Sequence, residues 1–308
     1  MNHWAELLTD NLEKADVIIK GIPFDGGASF GKGASQAPDR IRYLSRVLPP
    51  VSEEGIIFKD KFFVKDEGDF EVDLNWKRYY KHIEEVVGKM LNQGKFCLFL
   101  GGDHSVTIPL EISFLNYNKG KKTGIIHFDS HCDIFDEFEG HKWSHACTQR
   151  RALENENLEE KNLTLIGIRA WEDLELEYLS EHQDIEVITA ADIYEKGINY
   201  VKEKLEEKYS GFDAIYLTID IDVLDPAYAP GTGTPECGGL STREMMQLVK
   251  YMIKDLQIKA MDIVEVSPPL DSSDITSWAA LKIIYEVFGQ LYLKNYKDIF
   301  DFKVKENK

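Results

Sequence analysis

The sequence has 308 residues, of which 43% are hydrophobic and 29% are charged, and its formal net charge is -18. This acidic balance argues against a nucleic-acid-binding protein, which needs a basic surface, and favours the approach of small cationic molecules. The four cysteines show no C-x-x-C spacing, and no apolar run is long enough to span a bilayer. We therefore expect a cytoplasmic protein with reduced thiols that binds neither nucleic acid nor membranes.

Short apolar runs rich in β-branched residues alternate along the chain with longer helical patterns. The predicted strands are VIIKGI near Val17, CLFL from Cys97, GIIHF from Gly124, LTLIGI from Leu163, IEVIT from Ile185, AIYLTIDI from Ala214 and MDIVEV from Met261. The predicted helices run from about Trp76 to Leu91, from just after Ser105, from about Tyr200 to Tyr209, from Ser241, and from about Ile275 to Leu293. This alternation predicts a three-layer α/β/α fold with a central, mostly parallel β-sheet.

A single domain over residues 1–308 accounts for this pattern, because no repeat, low-complexity tract or linker interrupts it. Ser241 and Glu244 form a capping box that starts the fourth predicted helix. The charged segment from Ser52 to Asp73 is predicted to be an irregular surface excursion. The tail DFKVKENK, from Asp301 to Lys308, is predicted to be frayed.

Metal-type ligands are concentrated where three of the predicted strands end. The segment LGGDHS contributes Asp103 and His104, and HFDSHCD contributes Asp129, His131 and Asp133. The segment TIDIDVLDP contributes Asp220 and Asp222. Alternate side chains of a strand point the same way, and open α/β sheets bind ligands beyond the carboxyl ends of their strands. His127 shares the parity of Asp129 but lies earlier in the apolar strand, so a core or supporting role is favoured over metal ligation.

Crowded carboxylates beside histidines are electrostatically favourable only around cations. Oxygen-rich ligands with imidazole and no clear thiolate suit manganese, or else zinc, nickel or cobalt. Shared carboxylates would make the site dinuclear.

These motifs resemble those of the ureohydrolase family, which includes arginase, agmatinase, guanidinobutyrase and formiminoglutamase. The resemblance extends over nearly the whole chain, through GIPFDGGASFGKGASQAPDRIR (Gly21 to Arg42), GGDHS, FDSHCD, IDIDVLDPAYAPGTGTPECGGLS and DIVEVSPPLD (Asp262 to Asp271). Among these segments, the long stretch DIDVLDPAYAPGTGTPECGGLS looks most like agmatinases. The resemblance implies an arginase-like fold and a homo-oligomer, either a trimer or a hexamer.

The resemblance also implies two Mn²⁺ ions per subunit and a division of the ligands between them. One ion would be held by His104, Asp129, Asp133 and Asp220, and the other by His131, Asp129, Asp220 and Asp222. A hydroxide bridging the ions would attack the guanidinium carbon, and Asp222 would carry a proton to the leaving amine.

Two further catalytic residues are implied by the same resemblance. Glu265 matches the family glutamate that grips the guanidinium group, for which paired charge-assisted hydrogen bonds suit a carboxylate. His145 matches the family histidine that relays protons or contacts the substrate, and His141 is its nearby competitor.

The substrate is predicted from the loop IFDEFEGHKWSHA, which lacks the Asn-, Thr- and Ser-rich pattern that arginases use to hold an amino acid. Asp136, Glu137 and Glu139 would repel a substrate carboxylate and attract a distal ammonium, which favours agmatine. Arg150 and Arg151 would favour guanidinobutyrate or formiminoglutamate if either faced the pocket, but a helix after the loop is the preferred place for both.

Other functions stay open. Guanidinobutyrate, guanidine, arginine or formiminoglutamate are alternative substrates, and a non-catalytic metal-binding protein is a further alternative. A dimetal phosphoesterase is disfavoured, because the acidic loop offers no obvious cationic groups for a phosphate.

Overall fold

The computed structural model describes residues 3–296, and its centre is an eight-stranded sheet in the order β2-β1-β3-β8-β7-β4-β5-β6. Every neighbouring pair of strands is parallel, which confirms the predicted sheet. The strands are β1 (Val17–Gly21), β2 (Val64–Asp69), β3 (Phe96–Leu100), β4 (Thr123–Phe128), β5 (Leu163–Ile168), β6 (Glu186–Thr189), β7 (Ala214–Asp220) and β8 (Ile258–Val264). The tail from Asp301 to Lys308 lies outside the described residues.

Nine α-helices flank the sheet within residues 3–296. They are α1 (Ala37–Ser45), α2 (Trp76–Leu91), α3 (Thr107–Tyr117), α4 (Thr148–Leu153), α5 (Asp173–Glu181), α6 (Ala190–Lys196), α7 (Ile198–Tyr209), α8 (Thr242–Asp255) and α9 (Ile275–Asn295). The predicted capping box is present at α8, where the Ser241 hydroxyl accepts from the backbone nitrogen of Glu244 and the Glu244 side chain accepts in return. None of the helices in this part of the chain is long and apolar enough to cross a membrane.

The helices pack on both faces of the sheet because its central strands are apolar on both sides. In β3, Leu98 and Leu100 belong to one hydrophobic core, and Cys97 and Phe99 belong to the other. Helices α2 and α3 cover the second core, whereas α1, α8 and α9 pack together over the first. The three-layer α/β/α arrangement is therefore confirmed, and it follows from the continuous apolar runs that a doubly covered parallel sheet requires.

The prediction for the segment from Ser52 to Asp73 is wrong in part, because it contains the edge strand β2. Its sequence, VKDEGD, buries Val64 and leaves Glu67 exposed, since β1 is the only strand beside it and its other side is bridged only at Val64, to Leu8. From α1, the buried Arg42 holds this strand through ion pairs with Asp66 (Nε to Oδ2, 2.7 Å) and Asp69. Charged residues on an edge also disfavour pairing with another sheet.

The four central strands position the site. Strands β3, β8, β7 and β4 are neighbours in that order, and all are parallel, so their carboxyl ends meet at one edge. The segments that follow them carry His104, Glu265, Asp222 and Asp129.

Candidate metal centre and active site

His104 is surrounded by three carboxylates. Its Nδ1 atom lies 2.9 Å from Oδ2 of Asp129, 3.1 Å from Oδ2 of Asp133 and 3.2 Å from Oδ2 of Asp220. All four side chains are buried, yet Nδ1 is not aligned for a hydrogen bond with any of the three oxygens. One ring nitrogen therefore has a carboxylate oxygen from each of three aspartates within 3.2 Å.

His131 forms a second group next to the first. Its Nδ1 atom lies 3.3 Å from Oδ1 of Asp129 and 3.1 Å from Oδ2 of Asp222. In two sets of three residues, each residue offers one ligand atom, and the three atoms of a set lie within 4.8 Å of one another. One set is His104, His127 and Asp129, and the other is Asp129, His131 and Asp222. Asp129 belongs to both sets, so the two groups share a carboxylate.

The predicted ligands converge, but the geometric reason given for their convergence is wrong. Strand β4 ends at Phe128, before Asp129, so the five residues from Asp129 to Asp133 do not alternate along a strand. They turn across its carboxyl end instead, and Asp133 has a left-handed φ of 54°. Asp222 likewise lies in a 3-10 turn after β7, where its backbone nitrogen donates to Oδ1 of Asp220 (2.9 Å).

The charges of the site perturb one another strongly. Burial, together with repulsion from Asp222 and Asp129, raises the pKa of Asp220 well above its usual value. Burial by itself lowers the pKa of His104, but its contacts with the surrounding carboxylates outweigh burial and hold this pKa well above its usual value. The buried carboxylates and histidines of the cluster therefore shift one another's pKa values away from their usual range.

The residues of the cluster fit a pair of divalent cations. Four aspartates belong to the cluster: Asp129, Asp133, Asp220 and Asp222. Within residues 3–296, every ion pair that they make is with a histidine. Three buried atoms have no hydrogen-bond partner: Nδ1 of His104, Oδ2 of Asp129 and Oδ2 of Asp222. Such atoms are costly unless a cation satisfies them, and carboxylate with imidazole is a donor set that suits Mn²⁺ and related ions.

Glu265 and His145 lie beside this cluster. Oε1 of Glu265 accepts from the backbone nitrogen of His104 (2.9 Å) and lies 3.0 Å from Nδ1 of His145. The other ring nitrogen of His145, Nε2, is 2.9 Å from the hydroxyl of Ser29. Burial lowers the pKa of His145, but the hydrogen bond and charge of Glu265 outweigh it and raise this pKa to about 9.

The structure brings His145, and not His141, into contact with Glu265. His141 stacks on Trp76 with ring centroids 4.2 Å apart, and its Nδ1 accepts from the backbone nitrogen of Trp143 (3.1 Å). The His141 ring therefore packs against α2.

The acidic loop is more neutral than its sequence indicates. Asp136 pairs with Arg151 (2.8 Å) and with Lys142 (3.3 Å), whereas Glu137 and Glu139 are exposed. Arg150 and Arg151 lie on α4, as predicted. Arg151 also pairs with Glu154, and the Arg150 guanidinium lies over the Tyr178 ring, 4.1 Å from its centroid.

Arg169 is an important residue that the sequence interpretation missed. Its guanidinium donates to the backbone carbonyls of Asp222 (2.6 Å), Glu236 (2.7 Å) and Cys237 (3.2 Å). It thereby ties the loop before α8 to the turn that carries Asp222. Backbone carbonyls leave no trace in a sequence, so no pattern pointed to this contact.

The sequence interpretation also missed Thr218 and Asp262, which support the other ring nitrogen of His104. Nε2 of His104 lies 2.9 Å from the hydroxyl of Thr218, which donates to Asp262 (2.6 Å). An aspartate within the apolar strand β8 was a visible signal, because a buried carboxylate needs partners.

Comparisons with known proteins agree with this geometry. The sequence profile of the arginase family matches residues 15–289. A guanidinobutyrase from Pseudomonas aeruginosa is 34% identical over 282 residues, covering 90% of this chain and 86% of the relative. An agmatinase from Neisseria meningitidis is 34% identical over 291 residues, covering 92% and 88%. The solved structure of the agmatine ureohydrolase of Thermoplasma volcanium has a TM-score of 0.85 and 30% identity, and the match covers 96% of each chain.

Proposed function

Because this chain belongs to the arginase family and is a ureohydrolase, we propose that it hydrolyses agmatine to putrescine and urea with a dinuclear manganese centre. The observation that carries the proposal is the position of Asp129. Its two carboxylate oxygens lie 2.9 Å from Nδ1 of His104 and 3.3 Å from Nδ1 of His131. A carboxylate placed between two histidines suits a ligand shared by two cations.

The ligands divide into two sets in this proposal. His104, Asp129, Asp133 and Asp220 would hold one cation, and His131, Asp129, Asp220 and Asp222 would hold the other. Divalent cations lower the pKa of the water that they bind, which supplies a nucleophile near neutral pH.

The remaining residues bind the substrate and move protons. Glu265 uses Oε1 for His104 and His145, so its other oxygen is the one left for the guanidinium group. Asp222 accepts from the backbone nitrogen of Ser130 on Oδ1 (3.0 Å), whereas its buried Oδ2 has no hydrogen-bond partner. We assign Asp222 to carrying the proton to the leaving amine, and His145 to relaying protons between the site and Ser29.

Charge supports agmatine as the substrate. Agmatine carries an ammonium group where guanidinobutyrate carries a carboxylate, and the chain has a net charge of -18. Arg150 and Arg151, which follow the acidic loop, are engaged by Tyr178, Asp136 and Glu154, and Lys142 within the loop pairs with Asp136. Glu137 and Glu139 remain exposed and attractive to an ammonium.

Guanidinobutyrate is the second candidate substrate. The relative from Pseudomonas aeruginosa named guanidinobutyrase is as similar in sequence, at 34% identity, as the agmatinase from Neisseria meningitidis. Overall identity therefore does not separate the two substrates.

The test is urea release by the manganese-loaded protein from agmatine, 4-guanidinobutyrate, arginine and guanidine in parallel. We expect the highest kcat/KM with agmatine, and loss of activity with a chelator that is reversed by Mn²⁺. A higher kcat/KM with 4-guanidinobutyrate would overturn the choice of agmatine. Metal binding without urea release from any of the four would overturn the proposed hydrolysis.

A pair of charge variants isolates the loop contribution. Glu137→Gln with Glu139→Gln should raise the KM for agmatine several-fold and leave that for guanidine, which has no distal ammonium, unchanged. Glu206→Gln with Glu207→Gln is the matched control, because α7 leads into the amino end of β7, at the opposite edge of the sheet. An equal KM for agmatine in both double variants would refute a role for the loop charges.

A further inference from the structure

His127 lies in β4, one residue before the strand ends, and its side chain is fully buried. Nε2 is 3.2 Å from the backbone carbonyl oxygen of His131 and 3.2 Å from Oδ2 of Asp129. The ring stacks on His104, with centroids 5.0 Å apart and planes 4° from parallel. By distance alone, His127 is therefore a candidate metal ligand.

The surroundings of each ring nitrogen indicate a different role. Nε2 faces two acceptor oxygens, so it is stable there only if it carries a hydrogen. In a neutral ring, Nδ1 then has the lone pair, and the side-chain nitrogen of Gln149 lies 3.1 Å from it. A nitrogen that carries a hydrogen cannot at the same time bind a metal ion.

Gln149 is itself held in place. Its side-chain nitrogen also donates to Oε1 of Glu111 (3.0 Å), so the two amide hydrogens are shared between His127 and Glu111. Gln149 comes from α4 and Glu111 from α3, and both side chains are buried. The three residues form a continuous polar chain from the helices to the end of β4.

We propose that His127 is a positioning residue and not a metal ligand: its Nε2 hydrogen holds the turn from Asp129 to His131, and Gln149 fixes the tautomer. Only the expected effect of His127 on metal affinity rests on the proposed metal centre. The tautomer and the hydrogen bond to the turn do not. The hydrogen bond to the His131 carbonyl fixes the backbone between two ligand residues. Partners behind metal ligands typically change metal affinity by about 10–100-fold when they are removed.

The direct test is ¹⁵N NMR of the protein labelled at histidine, without metal and with the diamagnetic ions Mg²⁺ or Zn²⁺. We expect His127 to keep a hydrogen on Nε2 and a lone pair on Nδ1 in every sample. In Gln149→Leu, a second tautomer with the hydrogen on Nδ1 should appear. Loss of the Nε2 hydrogen on metal loading, or a hydrogen on Nδ1 in the wild-type protein, would overturn the proposal.

Calorimetric titration with Mn²⁺ gives the second readout. His127→Phe should weaken binding by about 10–100-fold. His127→Gln, whose amide can donate near the position of Nε2, should stay within a few-fold of the wild-type protein. Equal affinities for His127→Phe and the wild-type protein would contradict the positioning role.

The two proposals fail separately. If the wild-type protein bound no divalent cation, the proposed metal centre would be wrong. The tautomer of His127 in the metal-free protein would still decide the present inference.

Discussion

Glu265 Oε1 lies 3.0 Å from His145 Nδ1, and Glu265 reaches this position with a left-handed backbone φ of 60°. For a residue other than glycine, such a conformation costs on the order of 1–2 kcal/mol and persists only where the surroundings enforce it. Here the enforcing contacts are the hydrogen bonds of the Glu265 backbone nitrogen to Gly102 (2.8 Å) and of its side chain to His104 (2.9 Å). This strained backbone conformation lets the Glu265 carboxylate contact both His104, a proposed metal ligand, and His145.

Replacing Glu265 with Gln should change both the rate and its pH dependence. Glu265 raises the pKa of His145 to about 9 against the opposing effect of burial, so removing its charge should lower this pKa. If protonated His145 is the active form, activity is lost as the pH rises through this pKa. We expect kcat/KM for urea release to fall at least roughly 100-fold. The alkaline limb of the pH–rate profile should move to lower pH.

Glu206→Gln provides the control for this measurement, because Glu206 is exposed on α7, which leads into the amino end of β7. Its alkaline limb should coincide with that of the wild-type protein. An unshifted limb in Glu265→Gln would mean that His145 does not titrate in the profile.

Arg169→Met should destabilise the protein and loosen the loop before α8. The variant loses the hydrogen bonds to the carbonyls of Asp222, Glu236 and Cys237, and it leaves those oxygens without their donor. Hydrogen bonds from a charged group contribute about 1.5–3 kcal/mol, so we expect the free energy of unfolding to fall by about 3 kcal/mol. Denaturant titration measures the loss, and limited proteolysis should show faster cleavage in the loop.

Arg150→Met is the matched control for Arg169→Met. The Arg150 guanidinium lies over the Tyr178 ring, 4.1 Å from its centroid, and a contact of this kind contributes on the order of 0.5–1 kcal/mol near a surface. If both variants lost the same stability, the carbonyl contacts of Arg169 would have no special value.

Glu111→Gln should remove a pH dependence of stability. Burial raises the pKa of Glu111 from 4.5 to about 8 in the folded protein. The folded state therefore keeps a proton that the unfolded state loses, and this stability is fully present below pH 4.5 and is lost as the pH rises through about 8. The wild-type protein should lose on the order of 4 kcal/mol relative to Glu111→Gln over this range.

Thermal unfolding of both proteins between pH 5 and 9, with metal saturated, measures this difference. Glu85→Gln, at an exposed carboxylate on α2, is the control and should keep the pH dependence of the wild-type protein. A constant difference in melting temperature between wild type and Glu111→Gln would show that Glu111 is ionised in the folded protein.

The central strands were predictable because a parallel sheet covered on both faces demands long apolar runs, as in AIYLTID of β7. The edge strand β2 was not, since VKDEGD has only one buried apolar residue, Val64, and its other five residues are polar or glycine. Helix α5, with the sequence DLELEYLSE, was missed for a similar reason: its mostly exposed surface shows only weak periodicity.

The residues that meet at the candidate site were predictable as a set, but their geometry was not. Asp129 and His131 sit in a turn beyond β4, where side-chain direction follows from the backbone path and not from strand alternation. The partners of His127 come from α3 and α4, on separate segments of the chain. Contacts between such distant segments depend on the packed fold, and no local pattern reports them.

The proposed ligands come from the ends of β3, β4 and β7, which are far apart in the sequence and come together only in the assembled sheet. The unfolded chain therefore offers no preformed cage, and a divalent cation would be gripped only after the centre of the sheet has formed. Such an ion would slow unfolding without accelerating folding. The lifetime of the folded protein at elevated temperature would then depend on the supply of metal.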